Sequence, residues 1–237
     1  NQACASSMRA VALGYDAVQL GRGGVVLAGG TESMSNTPYF LTNARFGYRL
    51  GHSDVIDGMY RDGFHCPISD QLMGRTAENL AEQYGISRDE QDAFAERSQQ
   101  RCGVAIEKGL FADETFTVEV PGRKGPTPVT ADEHPRPDAT AAQMKKLAPV
   151  FKQNGTVHAG NSSGITDGAA ALLVLSAERA GALGVEPMAR IVDWTSAGVD
   201  PSIMGIGPGP AGRKLLERHR LPPDEIDPNE LNKGLAA

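Results

Sequence analysis

The feature that most restricts the fold is a helix-like repeat followed directly by a short apolar run between glycines. Apolar residues recur at helical spacing and stop before a group of glycines; they are Met8, Val11, Ala12, Tyr15 and Val18. The run 23–30 is apolar and flanked by glycines, and its length favours a buried strand over a helix. A helix followed by a buried strand is half of an α/β unit, so the sequence predicts an α/β fold.

A single cysteine, Cys4, stands directly before the predicted helix. Unpaired backbone N–H groups and the positive end of the helix dipole stabilise a thiolate at such a position, which raises the reactive fraction of the thiol. The sequence therefore makes Cys4 a candidate nucleophile. A small buried thiol without a chemical role is the alternative for a cysteine considered in isolation.

Five stretches, in order along the chain, resemble the thiolase family. The first is Asn1-Gln2-Ala3-Cys4, where thiolases have an Asn-x-x-Cys nucleophile segment followed by small residues and a helix. The others are the glycine-containing stretches 28–35, 73–79, 159–168 and 204–208. The resemblance implies a layered α/β/α/β/α fold with an inserted α+β loop domain. The chain starts on a motif and not on methionine, so we expect it to be a fragment and the fold to be incomplete.

The resemblance also divides the chain into regions. Residues 1–34 and 159–199 are expected to form part of the N-terminal half of the thiolase core. Residues 35–158 are expected to form the loop domain, which covers the active site and holds coenzyme A. Residues 200–237 are expected to begin a truncated C-terminal half.

Local patterns predict the remaining elements. Residues 39–68 lack a clear period and are predicted to be mostly loop. Helices are predicted over 76–84, 176–184 and 211–220, and a long one through about Lys108 follows a capping-box spacing at 87–90. Strands are predicted over 115–120, 169–175 and 189–197, and loops rich in proline and glycine over 121–137 and 201–210.

Coenzyme A thioesters are the substrates that the resemblance implies, and no separate cofactor is expected. The family's coenzyme A-contacting arginine matches Arg136, whose planar donor fork suits phosphate oxygens. The pantetheine channel is expected to be lined by residues from several segments, namely Ser163, Gly164, Ala159, Phe151 and Met73. Ordinary core packing is the alternative for the last two. Region 121–152 is basic in a chain with a formal charge of −6, although a solvated surface explains this equally well.

The last residues, 230–237, resemble the family's Asn-Glu-Ala-Phe motif. Asn232 matches the asparagine that holds a catalytic water, so we expect Asn232 to be catalytic together with Cys4. Lys233 stands in place of the motif's glutamate and Leu235 in place of its phenylalanine, which leaves the role of Asn232 open. The family's catalytic histidine and second cysteine lie beyond this motif, and the chain stops before both.

We therefore expect an acyl-CoA C-acyltransferase that forms or cleaves the carbon–carbon bond of 3-ketoacyl-CoA through an acyl-cysteine intermediate. The fragment alone is expected to be inactive. A β-ketoacyl synthase-like condensing enzyme is an alternative because of the Cys-Ala-Ser-Ser stretch at 4–7, and a non-catalytic coenzyme A-binding protein is another because of Lys233. Leu72 replaces a histidine of some biosynthetic members, which favours a degradative or broad-chain enzyme of fatty acid metabolism.

Composition bears on the remaining classes of protein. The negative formal charge argues against a nucleic-acid partner, and no apolar run approaches the ~20 residues of a membrane span. Three cysteines without framework spacing favour a reducing compartment, so we expect a cytoplasmic protein in which Cys66 and Cys102 are structural. No ligands occur at metal spacing, so no metal site is expected. The family suggests a homodimer or homotetramer for the full-length protein.

Overall fold

The computed structural model describes residues 2–227 and 230–237. The chain forms two compact units, one from residues 1–73 and 165–231 and the other from residues 74–164 and 232–237. These units follow spatial contacts, and the domain boundaries expected from the resemblance stay a prediction.

The described part of the chain contains six α-helices and eight strands. The helices are α1 (Ser6–Gln19), α2 (Met73–Tyr84), α3 (Arg88–Glu107), α4 (Ala141–Met144), α5 (Ala177–Leu183) and α6 (Pro208–His219). The strands are β1 (Val25–Ser33), β2 (Tyr39–Phe40), β3 (Ile56–Asp57), β4 (His65–Cys66), β5 (Gln71–Leu72), β6 (Val118–Val120), β7 (Thr127–Val129) and β8 (Asp167–Leu175). None of the helices in these residues is long and apolar enough to cross a membrane.

The first unit is built on β1 and β8, which pair antiparallel along their whole length. Val25 lies opposite Leu175, and Ser33 lies opposite Asp167. Helix α1 packs on this ladder where Gly14 approaches Val26, so that a Cβ on the glycine would lie 3.3 Å from the valine Cγ1. The predicted helix and the two predicted strands are therefore confirmed.

The expectation that the first of these strands is buried is wrong for most of its residues, and β8 is exposed in the same way. Leu27 is 73% exposed and Leu173 is 64% exposed, whereas Ala28 and Val174 are buried. Within the described residues β1 and β8 pair only with each other, so the sheet has two strands. A two-stranded ladder with α1 on one side leaves its other face uncovered, which explains the exposure.

Two other expectations for the first unit are also wrong. Residues 189–197 form no strand, because Tyr15 Oη donates to the Val192 carbonyl (3.2 Å) and Trp194 Nε1 donates to Asp16 Oδ1 (2.9 Å), which hold the segment against α1 instead of beside a strand. Residues 201–210 are largely helical, with a 3₁₀ helix at Pro201–Ile206 and then α6. Proline is favoured at the first positions of a helix, so this stretch rich in proline and glycine starts two helices where a loop is predicted.

Side-chain contacts at Asp193 fix the end of α6. His219 Nε2 and Arg218 Nη1 lie 2.8 and 2.6 Å from Asp193 Oδ2, and the Trp194 N–H donates to Oδ1 at 2.7 Å. These hydrogen bonds, the one from His219 first, lower the pKa of Asp193 to about 2. Helix α5 follows its prediction, since Ser176 caps its start and Gly184 ends it at a φ of 65°.

The second unit packs α2 and α3 around the segment 150–164. The predicted capping box of α3 is confirmed, because the Ser87 hydroxyl accepts from the Glu90 N–H and the Glu90 carboxylate accepts from the Ser87 N–H. Helix α2 begins at Met73, earlier than predicted. The predicted strand 115–120 is confirmed only over β6, which pairs with β7 inside the region predicted as loop. Region 39–68 is mostly turns and irregular loop, as predicted, apart from short strands and a π-helix at Met59–Phe64.

Candidate functional site

Cys4 lies in a single 3₁₀ turn, Ala3–Ala5, that runs directly into α1. Its side chain is exposed, which removes the buried-thiol alternative. Ser6 holds the turn, because its Oγ donates to the Ala3 carbonyl at 2.7 Å and accepts from the Gln2 N–H at 3.0 Å. The start of the Asn-x-x-Cys motif, Asn1, lies outside the described residues.

The backbone immediately before Cys4 adopts an unusual conformation. Ala3 has a φ of 48°, which is in the left-handed region. This conformation costs an alanine about 1 kcal/mol, and such outliers concentrate at functional sites. The strain lies one residue before the predicted nucleophile, at the point where the chain must turn to present the thiol ahead of α1.

Ser163 and Gly164 are exposed residues of the second unit, just after a 3₁₀ turn at Ala159–Asn161. The segment pairs antiparallel with residues near the end of the chain. The Ser163 N–H donates to the Gly234 carbonyl at 2.7 Å, and the Ala236 N–H donates to the Asn161 carbonyl at 3.0 Å. The structure thus brings the predicted pantetheine residues to the segment that carries Asn232.

Lys233 is held beside α3. Its ammonium lies 4.1 Å from the ring centroid of Phe94 and donates to the Ala236 carbonyl at 3.2 Å. Desolvation lowers the pKa of Lys233. The residue that departs from the family motif therefore anchors the segment 232–236 by a cation–π contact, which the sequence pattern did not indicate.

Arg136 is an exposed residue whose loop is anchored to α3. Its backbone N–H donates to Gln99 Oε1 at 2.7 Å, while Nη1 donates to the carbonyls of Glu133 and Pro135. Only Nη1 of the guanidinium is occupied among the described residues, so its other donors are available to an anion. The predicted phosphate-binding role is compatible with this geometry and stays a prediction.

Phe151 is half-buried, and its ring lies against Gly74, the residue that follows Met73. Core packing, the alternative for Phe151, therefore accounts for part of its surface. Ala159 is exposed at the start of its 3₁₀ turn. The structure thus gives Phe151 a packing partner on α2, and the predicted pantetheine roles of Phe151, Ala159 and Met73 stay predictions.

Two further features of the structure were not found by sequence reasoning. The imidazole of His134 lies directly against Gly164, where a Cβ would overlap the ring. Cys66 is half-buried, and its pKa is lowered by hydrogen bonding to the Ser69 side chain first and then to the Ser69 and Ile68 backbone. Both features depend on how the loops of the folded chain bring side chains together, which no local sequence pattern predicts.

Two open cavities in the first unit lie elsewhere. One, of about 610 Å³, is lined by residues between Phe40 and Arg61, and the other, of about 350 Å³, by residues around Asp193 and Arg218. Neither is lined by a predicted site residue. Among residues 2–227 and 230–237, no group of three or more His, Cys, Asp and Glu side chains is placed to hold a metal ion.

Two protein-family models match the chain almost end to end. The model described as "Thiolase, N-terminal domain" matches residues 1–178, and the model described as "Thiolase, C-terminal domain" matches residues 185–237.

Curated relatives include several acyltransferases. The chain is 48% identical to an acetyl-CoA acetyltransferase of Syntrophomonas wolfei and 47% identical to one of Pseudomonas aeruginosa. It is 46% identical to a probable acetyl-CoA acyltransferase of Staphylococcus aureus. Each match covers 100% of this chain and 60 to 61% of the relative. The chain therefore spans about three fifths of the length of these relatives.

Solved structures with similar folds come from the same group of proteins. The acetyl-CoA acetyltransferase of Syntrophomonas wolfei superposes with a TM-score of 0.94 at 41% identity, over 99% of this chain and 59% of that one. The Bacillus anthracis acetyl-CoA acetyltransferase gives 0.94 at 44% identity, and human mitochondrial 3-ketoacyl-CoA thiolase gives 0.92 at 42%; each covers 98% of this chain and 59% of the other. These likenesses confirm the predicted α/β fold class.

Proposed function

The chain belongs to the thiolase family, and from that premise we propose that its whole protein is an acyl-CoA C-acyltransferase with Cys4 as its nucleophile. The proposal concerns the whole protein because the chain spans only about 60% of the relatives' length. Its substrates would be 3-ketoacyl-CoA and coenzyme A in one direction and two acyl-CoA thioesters in the other.

The position of Cys4 is the observation that carries the proposal. The sulfur is exposed at the entrance of α1, one residue after a strained alanine, as an attacking thiolate requires. A lone exposed cysteine would not suffice by itself. The match of both family models and the order of the five sequence stretches support the nucleophile role that we propose for Cys4.

The chemistry divides one difficult reaction into two easier steps. In the cleavage direction, the Cys4 thiolate attacks the 3-keto carbon, the bond between C2 and C3 breaks, and its electron pair leaves with acetyl-CoA as an enolate. An acid protonates that enolate and then, as a base, takes the proton of the coenzyme A thiol. The coenzyme A sulfur attacks the acyl-Cys4 thioester, and Cys4 leaves again as a thiolate.

The binding part of the reaction falls to the second unit in this proposal. Ser163 and Gly164 present exposed backbone and a hydroxyl beside the segment that carries Asn232. Arg136 offers unoccupied guanidinium donors for phosphate. The acid–base group is, by the family resemblance, a cysteine outside this chain, and we assign that role to neither Cys66 nor Cys102.

The test compares the full-length protein with its Cys4→Ala variant. Acetoacetyl-CoA and free coenzyme A are supplied, and acetyl-CoA is measured by liquid chromatography. We expect the variant to lose activity by at least about 10³-fold, and the wild-type protein to show an acetyl adduct on the peptide containing Cys4. Cys102→Ala is the matched control and should keep the wild-type rate. An active Cys4→Ala variant, or an adduct on another cysteine, would disprove the assignment.

A non-catalytic coenzyme A-binding protein is the second candidate, and Lys233 is the residue that favours it. If the protein only binds coenzyme A, the wild type should bind coenzyme A but yield no acetyl-CoA in the same assay. For an active enzyme we propose a degradative or broad-chain preference, a cytoplasmic location and a homodimeric or homotetrameric assembly. The chain-length preference is tested by measuring rates with 3-ketoacyl-CoA substrates of increasing chain length. The assembly is tested by measuring the mass of the native protein in solution.

A further inference from the structure

The second unit contains a cluster of buried polar side chains that the proposed chemistry does not use. The five members are each no more than 3% exposed; they are Glu78, Gln91, Asp92, His158 and Asn161. Burying carboxylates is costly unless they are fully hydrogen-bonded. Two of its members, His158 and Asn161, lie directly before Ser163 in sequence, and the other three reach residues 156–161 from α2 and α3.

Glu78, on α2, holds the start of that segment. Its Oε1 accepts from the N–H groups of Thr156 and Val157, both at 2.8 Å, and its Oε2 accepts from the Thr156 hydroxyl at 3.0 Å. Gln91 Nε2, on α3, donates to the same hydroxyl at 2.9 Å. One carboxylate from one helix therefore receives three donors from two consecutive residues.

Asp92, on α3, holds the next turn. His158 Nδ1 accepts from the Gly160 N–H at 3.1 Å, so the imidazole is the Nε2–H tautomer and donates to Asp92 Oδ1 at 2.8 Å. Asn161 Nδ2 donates to the same Oδ1 at 3.1 Å. Asp92 Oδ2 faces Arg88 Nε at 3.6 Å.

The turn at residues 158–161 leads directly into Ser163 and is hydrogen-bonded to the segment that follows Asn232. Asn161 Oδ1 accepts from the His158 N–H at 2.8 Å, and the Ser162 hydroxyl donates to the His158 carbonyl at 2.8 Å. The Asn161 carbonyl then accepts from Ala236, and Ser163 donates to Gly234. Hydrogen bonds thus tie α2 and α3 to residues 156–161, and tie both Asn161 and Ser163 to the segment 234–236.

We propose that Glu78 and Asp92 are positioning residues for coenzyme A: their buried carboxylates fix residues 156–161 and thereby place Ser163 and Gly164 for pantetheine. The inference rests on the proposed function, since it takes Ser163 and Gly164 as binding residues. Neither carboxylate touches the substrate. Their effect is on where the binding backbone lies, so they determine affinity for coenzyme A more than the rate of the bound complex.

The first test uses Glu78→Gln in the full-length protein. Glutamine keeps only one of the two acceptor oxygens, so either the Thr156 hydroxyl or the N–H groups of Thr156 and Val157 lose their acceptor, depending on how the amide is turned. We expect KM for coenzyme A to rise about tenfold while kcat changes less than about threefold. Loss of folded protein alone would lower the apparent kcat and leave KM unchanged. Glu82→Gln is the control, because Glu82 lies on the same helix and pairs with Lys152 at the surface.

Two milder substitutions at Thr156 keep the test decisive if the Glu78→Gln variant does not fold. Thr156→Val removes one donor to Glu78 without changing charge, and Thr156→Ser keeps that donor. We expect weaker binding of desulfo-coenzyme A, measured by calorimetry, in Thr156→Val and recovery in Thr156→Ser. Asp92→Asn should raise KM as well, whereas Asp89→Asn, whose side chain is 74% exposed on the same helix, should not.

The outcomes separate this inference from the proposed function. If the wild-type protein neither binds coenzyme A nor forms acetyl-CoA, the proposed function fails. If the wild type is active but Glu78→Gln, Thr156→Val and Asp92→Asn retain the wild-type KM, the positioning role alone is wrong. A fall in kcat at constant KM in all three variants would likewise overturn it, because it would show a purely structural role.

Discussion

Replacing Gly74 tests the packing between α2 and Phe151. An ideal Cβ on Gly74 would lie closer than 3.0 Å to three carbons of the Phe151 ring, and Gly74 itself is buried. The ring is rigid, so an alanine at this position forces either the ring or the start of α2 to move. Because Phe151 is a predicted pantetheine residue, the same change should disturb the binding site.

The magnitude follows from two opposing effects. Overpacking a fitted contact costs about 1–3 kcal/mol. Alanine gains up to about 1 kcal/mol over glycine inside a helix, and less than that in the first turn. The net loss in the free energy of unfolding should therefore be about 1–2 kcal/mol for Gly74→Ala. Gly181→Ala is the matched control, since Gly181 lies in α5 with nothing within 4 Å, and it should gain about 0.5–1 kcal/mol.

Urea unfolding followed by circular dichroism measures both variants in the full-length protein. Repeating Gly74→Ala in a Phe151→Ala background removes the overlap, so the two substitutions should couple by at least about 1 kcal/mol. If Gly74→Ala stabilised the protein as Gly181→Ala does, the close packing of Phe151 on α2 would be refuted. Additive effects in the double variant would refute it as well.

Two further predictions concern ionisable groups. The pKa of Asp193, lowered to about 2 chiefly by His219, means that its stabilising effect is complete above the unfolded pKa of about 4 and is lost as the pH falls through about 2. Asp193→Asn should therefore remove part of the acid destabilisation between pH 4 and 2, measured by circular dichroism, and an unchanged acid transition would count against this. The lowered pKa of Cys66, due first to Ser69, predicts that iodoacetamide modifies Cys66 at lower pH than it modifies the thiol of a short unstructured cysteine peptide; identical pH profiles by mass spectrometry would contradict it.

Local signals allowed much of the secondary structure to be predicted from the sequence. The capping box at Ser87 and the cap at Ser176 are satisfied within three residues, so the sequence alone determines them. Residues 189–197 have a strand-like composition, but a strand needs a neighbour, and side chains on α1 hold this segment instead. The exposure of Leu27 could not be predicted either, because burial of a strand residue depends on which element packs against that face of the sheet.

The candidate site was predicted only in part, for a comparable reason. The resemblance selected Ser163 and Asn232, and the structure brings their segments together. Glu78 accepts hydrogen bonds from Thr156 and Val157, which lie 78 and 79 positions further along the chain. No local sequence pattern can reveal contacts at that separation. In the sequence, Lys233 is only a departure from the family motif. Its contact with Phe94 could not be predicted, because that contact depends on how the second unit folds.

The pairing of β1 with β8 has a consequence for how the chain is made. Ser35 bonds to Asp167 across 132 positions, so the ladder closes only after the residues between them have been synthesised. At roughly 5–20 residues per second, the ribosome would leave β1 without its partner for about 7–26 s. During that interval the nascent edge is open to other strands, so co-translational holding by a chaperone should matter more for this protein than for one built from neighbouring hairpins.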